Sequence, residues 1–307
     1  MFSTFIERAE ALGAVTGWFF VLLVLVSFPL SWLGVFLSLR KQVFMGDAMS
    51  HSILPGIVIG FLFVGNLDSV WLQIGAVLAA IAAAVGVEFI QENNRIKQDA
   101  AIGIVFATLF SLGVFLLSWM DHVDLDPECV IHGQMELLVL ELLDAEVGIP
   151  AVVWKQLIIG LAVMGVVFGA FFSLTTSAFD LGHARTMGVP TRVLRYGLLI
   201  LLAVTLVSSF PLVGAILPIA ILVLPSATVA MWTSRLVWRL VGVLCLGVLA
   251  AALTLFFALT FDLNMAGVLV SVHFAFFLIS LVIGKNDGFL KSSGFYGKSS
   301  SRVIGRR

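Results

Sequence analysis

The chain has 307 residues, of which 61% are apolar and 11% charged, with a mean hydropathy of +1.13 and a formal charge of −1. A soluble domain is about 45–50% apolar and about 25% charged, so a water-soluble fold is excluded and an integral membrane protein is implied. The near-neutral charge gives no support for nucleic-acid binding, and Cys129 and Cys245 match no zinc, redox or disulfide spacing.

The chain opens on a segment, residues 1–17, that carries Glu7, Arg8 and Glu10, unlike the basic start of a cleaved signal peptide. Residues 18–39 then read as a retained membrane helix, because a bilayer core about 30 Å thick needs roughly 20 helical residues. Further apolar runs fall at 43–64, 69–90, 99–119, 152–174, 196–210, 211–232, 240–261 and 266–284. The expectation is an all-α integral membrane protein with eight or nine transmembrane helices over 18–284 and a basic tail, 285–307. Only Ser208-Ser209-Phe210-Pro211 separates the sixth and seventh runs, which read as two short or broken helices. Exposed pieces are expected at 120–151, at 175–195 and in the tail.

Charge orients these spans. Fifteen of the 17 lysines and arginines fall on one side, leaving Arg8 and Lys155 opposite. The positive-inside rule makes the richer side cytoplasmic, with the N-terminus outside and the C-terminus inside. Twelve of the 18 acids lie on the outer side, eight of them between 121 and 146. An acidic outer surface concentrates cations or meets a basic partner, or is simply a solvated loop. Trp18, Trp71, Trp119 and Trp154 fall near outer span ends and Trp232 and Trp238 near inner ones, as interfacial belts require.

The polar residues inside the second run carry the chemistry. Asp47 and His51 are four residues apart and share a helix face near the cytoplasmic start of that run. A carboxylate and an imidazole on adjacent turns are half of a first-row transition-metal site, or a hydrogen-bonded pair that orients two helices. Pro55 and Gly56 follow and distort the helix, as broken helices lining transport sites do. Later, Pro218 and Pro225 are expected to kink one helix twice, with Ser226, Ala227 and Thr228 allowing close packing.

The connection 179–190 reads as a short cytoplasmic helix, capped by Asp180 and stopped at Gly188 with Pro190 beyond, that docks on another protein. The acidic run 121–128 reads as a solvated turn, and His132, His183 and His273 stand alone. No nucleophile–base constellation and no His-Glu-x-x-His motif occur, and 294–299 lacks the first glycine and the preceding strand of a phosphate-binding loop.

Taken together, Gly46-Asp47-Ala48-Met49-Ser50-His51-Ser52-Ile53-Leu54-Pro55-Gly56 resembles the signature of the ABC-3 permeases, the membrane subunits of bacterial manganese, zinc and iron ABC importers. The stretch from Lys97 to Phe106, Phe179-Asp180 with Ala184 and Gly188, and Val213-Gly214 through Leu224-Pro225-Ser226-Ala227-Thr228 agree in order and spacing. The resemblance covers residues 15–285. It departs at Ser226, where alanine is common, and at Asn264-Met265-Ala266-Gly267, which replaces a Pro-Ser-Gly run.

The resemblance implies a type II ABC importer permease fold in a bacterial plasma membrane, with two permease subunits around the path. A cytoplasmic ABC ATPase dimer would dock where Phe179, Asp180, Ala184 and Gly188 stand. An extracytoplasmic metal-binding protein would deliver the ion to Asp47 and His51. No permanently bound cofactor is implied, only a transported manganese, zinc or iron ion. Residues 123–127 resemble members associated with manganese or iron, which favours manganese. The competing class is a self-sufficient secondary transporter or channel with Asp47 and His51 as an ion or proton relay.

Overall fold

A computed structural model describes residues 6, 13–64, 70–94, 96–118, 149–214 and 217–284 of the chain. The acidic outer loop with Cys129, His122 and His132, Trp119, and the basic tail lie outside the described residues. Among those described, regular structure is entirely helical. Eight segments are long and apolar enough to cross a membrane, and Leu217–Ala230 is a shorter apolar helix.

The first helix, α1 (Ala14–Leu39), is the most enclosed of the eight. Phe19, Leu22, Leu23, Val26, Leu30, Leu33 and Phe36 are all at most 1% exposed. Neighbours sit on nearly every side of α1, so apolar residues all round it are buried in protein rather than left against lipid. Its polar groups find partners across helices: Trp32 Nε1 donates to the Leu240 carbonyl at 3.1 Å, and Ser31 Oγ to that of Ile221 at 3.4 Å. Phe28 and Phe168 meet the Trp32 ring edge-on at 4.8 and 5.5 Å.

The second run is broken in two. Helix α2 (Met45–His51) ends at a turn over Ser52 and Ile53, and α3 (Leu54–Val64) follows. The cause is Pro55, which has no N–H to give to the His51 carbonyl four residues back. Next come α4 (Val70–Asn94) and α5 (Gln98–Ser118). Helices α3 and α4 approach through glycine: a Cβ on Gly56 would lie 2.1 Å from the Gly75 carbonyl oxygen, and one on Gly60 3.0 Å from that of Trp71. Those pairings run in opposite directions along the two chains, so the helices are antiparallel.

After the undescribed loop, α6 (Ala151–Gly169) stops at Ala170, short of the expected end at 174. The connection expected as 175–195 holds two short helices, α7 (Phe171–Phe179) and α8 (Leu181–Thr186). Helix α9 (Thr191–Val213) runs through the expected separator with Pro211 inside it. Its serines are satisfied within the helix, Ser208 Oγ donating to the Thr205 carbonyl at 2.9 Å and Ser209 Oγ to that of Leu206 at 2.8 Å. The break falls at Gly214, whose φ of +80° suits glycine. Helix α10 (Leu217–Ala230) starts with Pro218 as its second residue, where no intrahelical N–H is needed, so Pro218 opens this helix and only Pro225 lies inside it. The pair α11 (Leu236–Phe261) and α12 (Met265–Ile283) completes the fold.

Tryptophan placement largely follows the belt expectation, with Trp71, Trp154, Trp232 and Trp238 exposed. Trp32, by contrast, is a core residue. Cys245 is free and on the surface.

Candidate metal-translocation site

Helix α2 turns one face inward and one outward. Met45, Gly46, Ala48, Met49 and Ser50 are buried, while the Asp47 and His51 side chains are 49% and 31% exposed. His51 Nε2 stands 3.4 Å from Asp47 Oδ1. That is longer than a good N–H···O bond, which centres near 2.9–3.0 Å. It matches the edge between two donors of one tetrahedral ion with bonds of about 2.1 Å, which works out at about 3.4 Å. The separation and the open side together suit one ion between the two groups.

Asp47 and His51 fall in the first turns of the span Met45–Val64. The His51 ring lies 5.2 Å from that of Phe106, and Phe106 lies 5.8 Å from Phe110. Phe106 stands about 12 Å along α5 from Gln98 and about 18 Å from Ser118 at 1.5 Å per residue. His51 therefore faces the interior of the neighbouring span, and Asp47 lies one turn nearer the start of its own. The break after His51 leaves the His51 carbonyl without its helical donor. Pro55 itself packs on α5, where a Cβ on Gly113 would lie 2.8 Å from the Pro55 nitrogen.

Among the described residues no group of three or more His, Cys, Asp and Glu side chains converges. One chain thus offers two side-chain donors. Pro218 and Pro225 are both buried in α10, which packs on α1 and α12 and touches α2 at Gly46 through the Leu222 side chain. They support the site helix from behind and do not join Asp47 and His51.

Around α8, Asp180 Oδ1 accepts the His183 N–H at 2.9 Å, and Gly188 has a φ of +72°. Phe179 and Asp180 are exposed, as are Leu181, Met187 and Gly188, whereas Ala184 is fully buried. Ala184 therefore fixes this turn onto the chain's own helices, and the outward surface belongs to its neighbours. Asp180→Ala removes the cap and should cost about 1 kcal/mol of local stability. Gly188→Ala should cost a similar amount, about 1–2 kcal/mol, through its left-handed backbone. Amide hydrogen exchange over Leu181–Thr186 should be faster in both variants, and unchanged protection would refute the capping role.

Sequence reasoning missed Phe106, which flanks His51, and it missed Glu88. The second omission had a signal, since a lone acid inside the apolar run 69–90 is by default a residue with a task.

Eight helices among the described residues are long and apolar enough to span a membrane, and with a polar pair exposed on a broken helix and a short connecting helix they define a multi-pass membrane permease. The ABC 3 transport family matches residues 15–284, and the chain belongs to it. It is 33% identical over 260 residues to the "Manganese transport system membrane protein MntC" of Listeria monocytogenes, covering 85% of this chain and 87% of that protein. It is 32% identical to the "Zinc transport system membrane protein TroD" of Treponema pallidum, over 87% of this chain and 74% of that one. The structure superposes on "PsaBC from Streptococcus pneumoniae in complex with Fab" with a TM-score of 0.77 at 27% identity, covering 95% of this chain and 100% of the other.

Proposed function

We propose that this chain is the permease subunit of an ABC importer that carries a divalent transition-metal ion, manganese by preference, into the cytoplasm. The observation that carries the reading is the Asp47–His51 pair, half-exposed and at a donor-edge separation on a broken helix. Mixed oxygen and nitrogen donors suit Mn²⁺, Fe²⁺ or Zn²⁺, and affinity order does not select among them. The names of the similar proteins favour manganese. Two donors per chain leave a four- to six-coordinate ion incomplete, so a second permease subunit, whether another copy or a relative, supplies the rest.

Transport then follows from alternating access. The exposed residues Phe179, Leu181, Met187 and Gly188 give a cytoplasmic ATPase dimer an apolar knob to grip, with Ala184 holding it to the bundle. An extracytoplasmic binding protein delivers the ion to the outer face. The charge distribution supports an N-terminus outside and a C-terminus in the cytoplasm. The protein does no chemistry on ATP in this scheme.

The test is ⁵⁴Mn²⁺ uptake into cells expressing the chain with and without its ATPase, for wild type, Asp47→Ala and His51→Ala. Uptake should require the ATPase. It should fall in both variants by at least about 10–100-fold, the loss that follows from removing even an outer-shell partner of a metal ligand. Uptake without any ATPase would instead make the chain a secondary transporter or channel. Normal uptake in both variants would reduce the pair to a structural contact.

A further inference from the structure

Six residues before the end of α4 the fold encloses a carboxylate. The Glu88 side chain is 2% exposed, and Arg195 Nε stands 2.7 Å from its Oε1. Such a carboxylate is tolerated in a membrane bundle only with a cation held against it. Arg195 is the fifth residue of α9, the helix that leaves the α8 turn. On the other flank of α8, Ser177 of α7 is buried and accepts a hydrogen bond from Arg40 Nη2 at 2.7 Å. Arg40 caps the C-terminus of α1, directly before the chain turns into α2. Burial, and then the charge of the Arg195 guanidinium, push the Arg40 pKa down from its ordinary value.

These two contacts tie both flanks of α8 to the surroundings of the helix that bears the polar pair. One tie runs from α7 through Arg40 to the entry of α2. The other runs from α9 through Arg195 to α4, and α2 packs against α4 and α9. Stability alone is a poor reason for the arrangement, because a buried ion pair is often no better than apolar residues of the same volume. Arg40 Nε is moreover shielded from solvent with no hydrogen-bond acceptor among the described residues. Neither Glu88 oxygen is aligned for a hydrogen bond among the described residues, so its contact with Arg195 is a close charge pair. Such a pair, with the Arg40–Ser177 hydrogen bond, provides a fixed spacing between elements that must move together.

We propose that Glu88, Arg195, Arg40 and Ser177 form a clamp that transmits displacement of the α8 turn to the helix carrying Asp47 and His51. They are positioning residues and do not touch the ion. The inference rests on the reading of α8 as the ATPase contact.

The experiment reconstitutes the full chain with its second permease subunit, its ATPase and the extracytoplasmic binding protein in proteoliposomes, reading Mn²⁺ uptake and ATP hydrolysis in parallel. Glu88→Gln keeps the shape and removes the charge, and Ser177→Ala deletes one hydroxyl on the other flank. In both, hydrolysis should stay within about twofold of wild type while ions moved per ATP fall at least about tenfold, inside the 5–150-fold range typical of coupling between sites. Equilibrium ⁵⁴Mn²⁺ binding should be unchanged, which a ligand-site defect would not allow. A wild-type ratio in either variant would overturn that arm of the clamp, and uptake and hydrolysis falling in step would overturn the whole. Wild-type uptake that ignores the ATPase would overturn the importer reading first and the clamp with it.

Discussion

Gly34→Ala is expected to keep this chain from reaching its folded state. A Cβ at that position would lie 1.9 Å from the Leu222 carbonyl oxygen and 2.9 Å from its carbon. Both are backbone atoms of α10, so no side chain can swing aside, and α1 is enclosed on its other faces. Overpacking a core costs typically about 1–3 kcal/mol and occasionally more, and a backbone collision belongs at the upper end. The displacement would also travel, because the Leu222 side chain packs beside Gly46, one residue before Asp47. Detergent-solubilised Gly34→Ala should give little monodisperse protein, and what remains should melt well below wild type. Gly165→Ala and Gly197→Ala are the controls. Nothing lies within 4 Å of a Cβ at either site, and helix propensity favours alanine there by up to about 1 kcal/mol. A wild-type profile for Gly34→Ala would mean that α1 and α10 are not in the contact described.

Gly56→Ala is expected to spare the fold in part and to cost transport. Its Cβ would stand 2.1 Å from the Gly75 carbonyl oxygen and 2.7 Å from the Ala79 Cβ, against ordinary contacts of 3.4–4 Å. Helices α3 and α4 must therefore part by more than about 1 Å, and α3 is joined to α2 through only the Ser52–Ile53 turn. Functional groups have to be held within about 0.5 Å of their working geometry, so the Asp47–His51 pair should lose its register with its partners. Uptake should fall at least about tenfold, since misplacement of about 1 Å alone can cost a hundredfold. Gly75→Ala should reproduce the loss from the other side, its Cβ lying 2.3 Å from the Gly56 oxygen. Gly103→Ala, with open space around it, should transport normally. Equal uptake in all three would show that the α3–α4 spacing has no part in the site.

The elements differed in how plainly they could be read. The spans were legible because lipid demands long apolar runs and internal backbone pairing, which leaves a one-dimensional trace. The α8 turn was legible for the same local reason, its cap and its glycine stop both being sequence signals that act within a few residues. Proline was less readable. The same residue opens α10 at Pro218, breaks the second span at Pro55, and is absorbed inside α1 at Pro29 and α9 at Pro211. What separates Pro218 from the others is its place in the first turn of a helix, where no intrahelical N–H is needed.

By itself, the amino-acid sequence determined that this is a multi-pass helical membrane protein, where its polar pair lies along the chain, and which family pattern it follows. Those properties depend on composition and on residues a turn apart. The tertiary structure alone decided the rest. It set His51 beside Phe106, turned Ala184 inward, closed glycine contacts between neighbouring helices, and enclosed Glu88 with Arg195. Each of these depends on which helix lies against which, and in a chain apolar on almost every face hydrophobicity no longer distinguishes one neighbour from another.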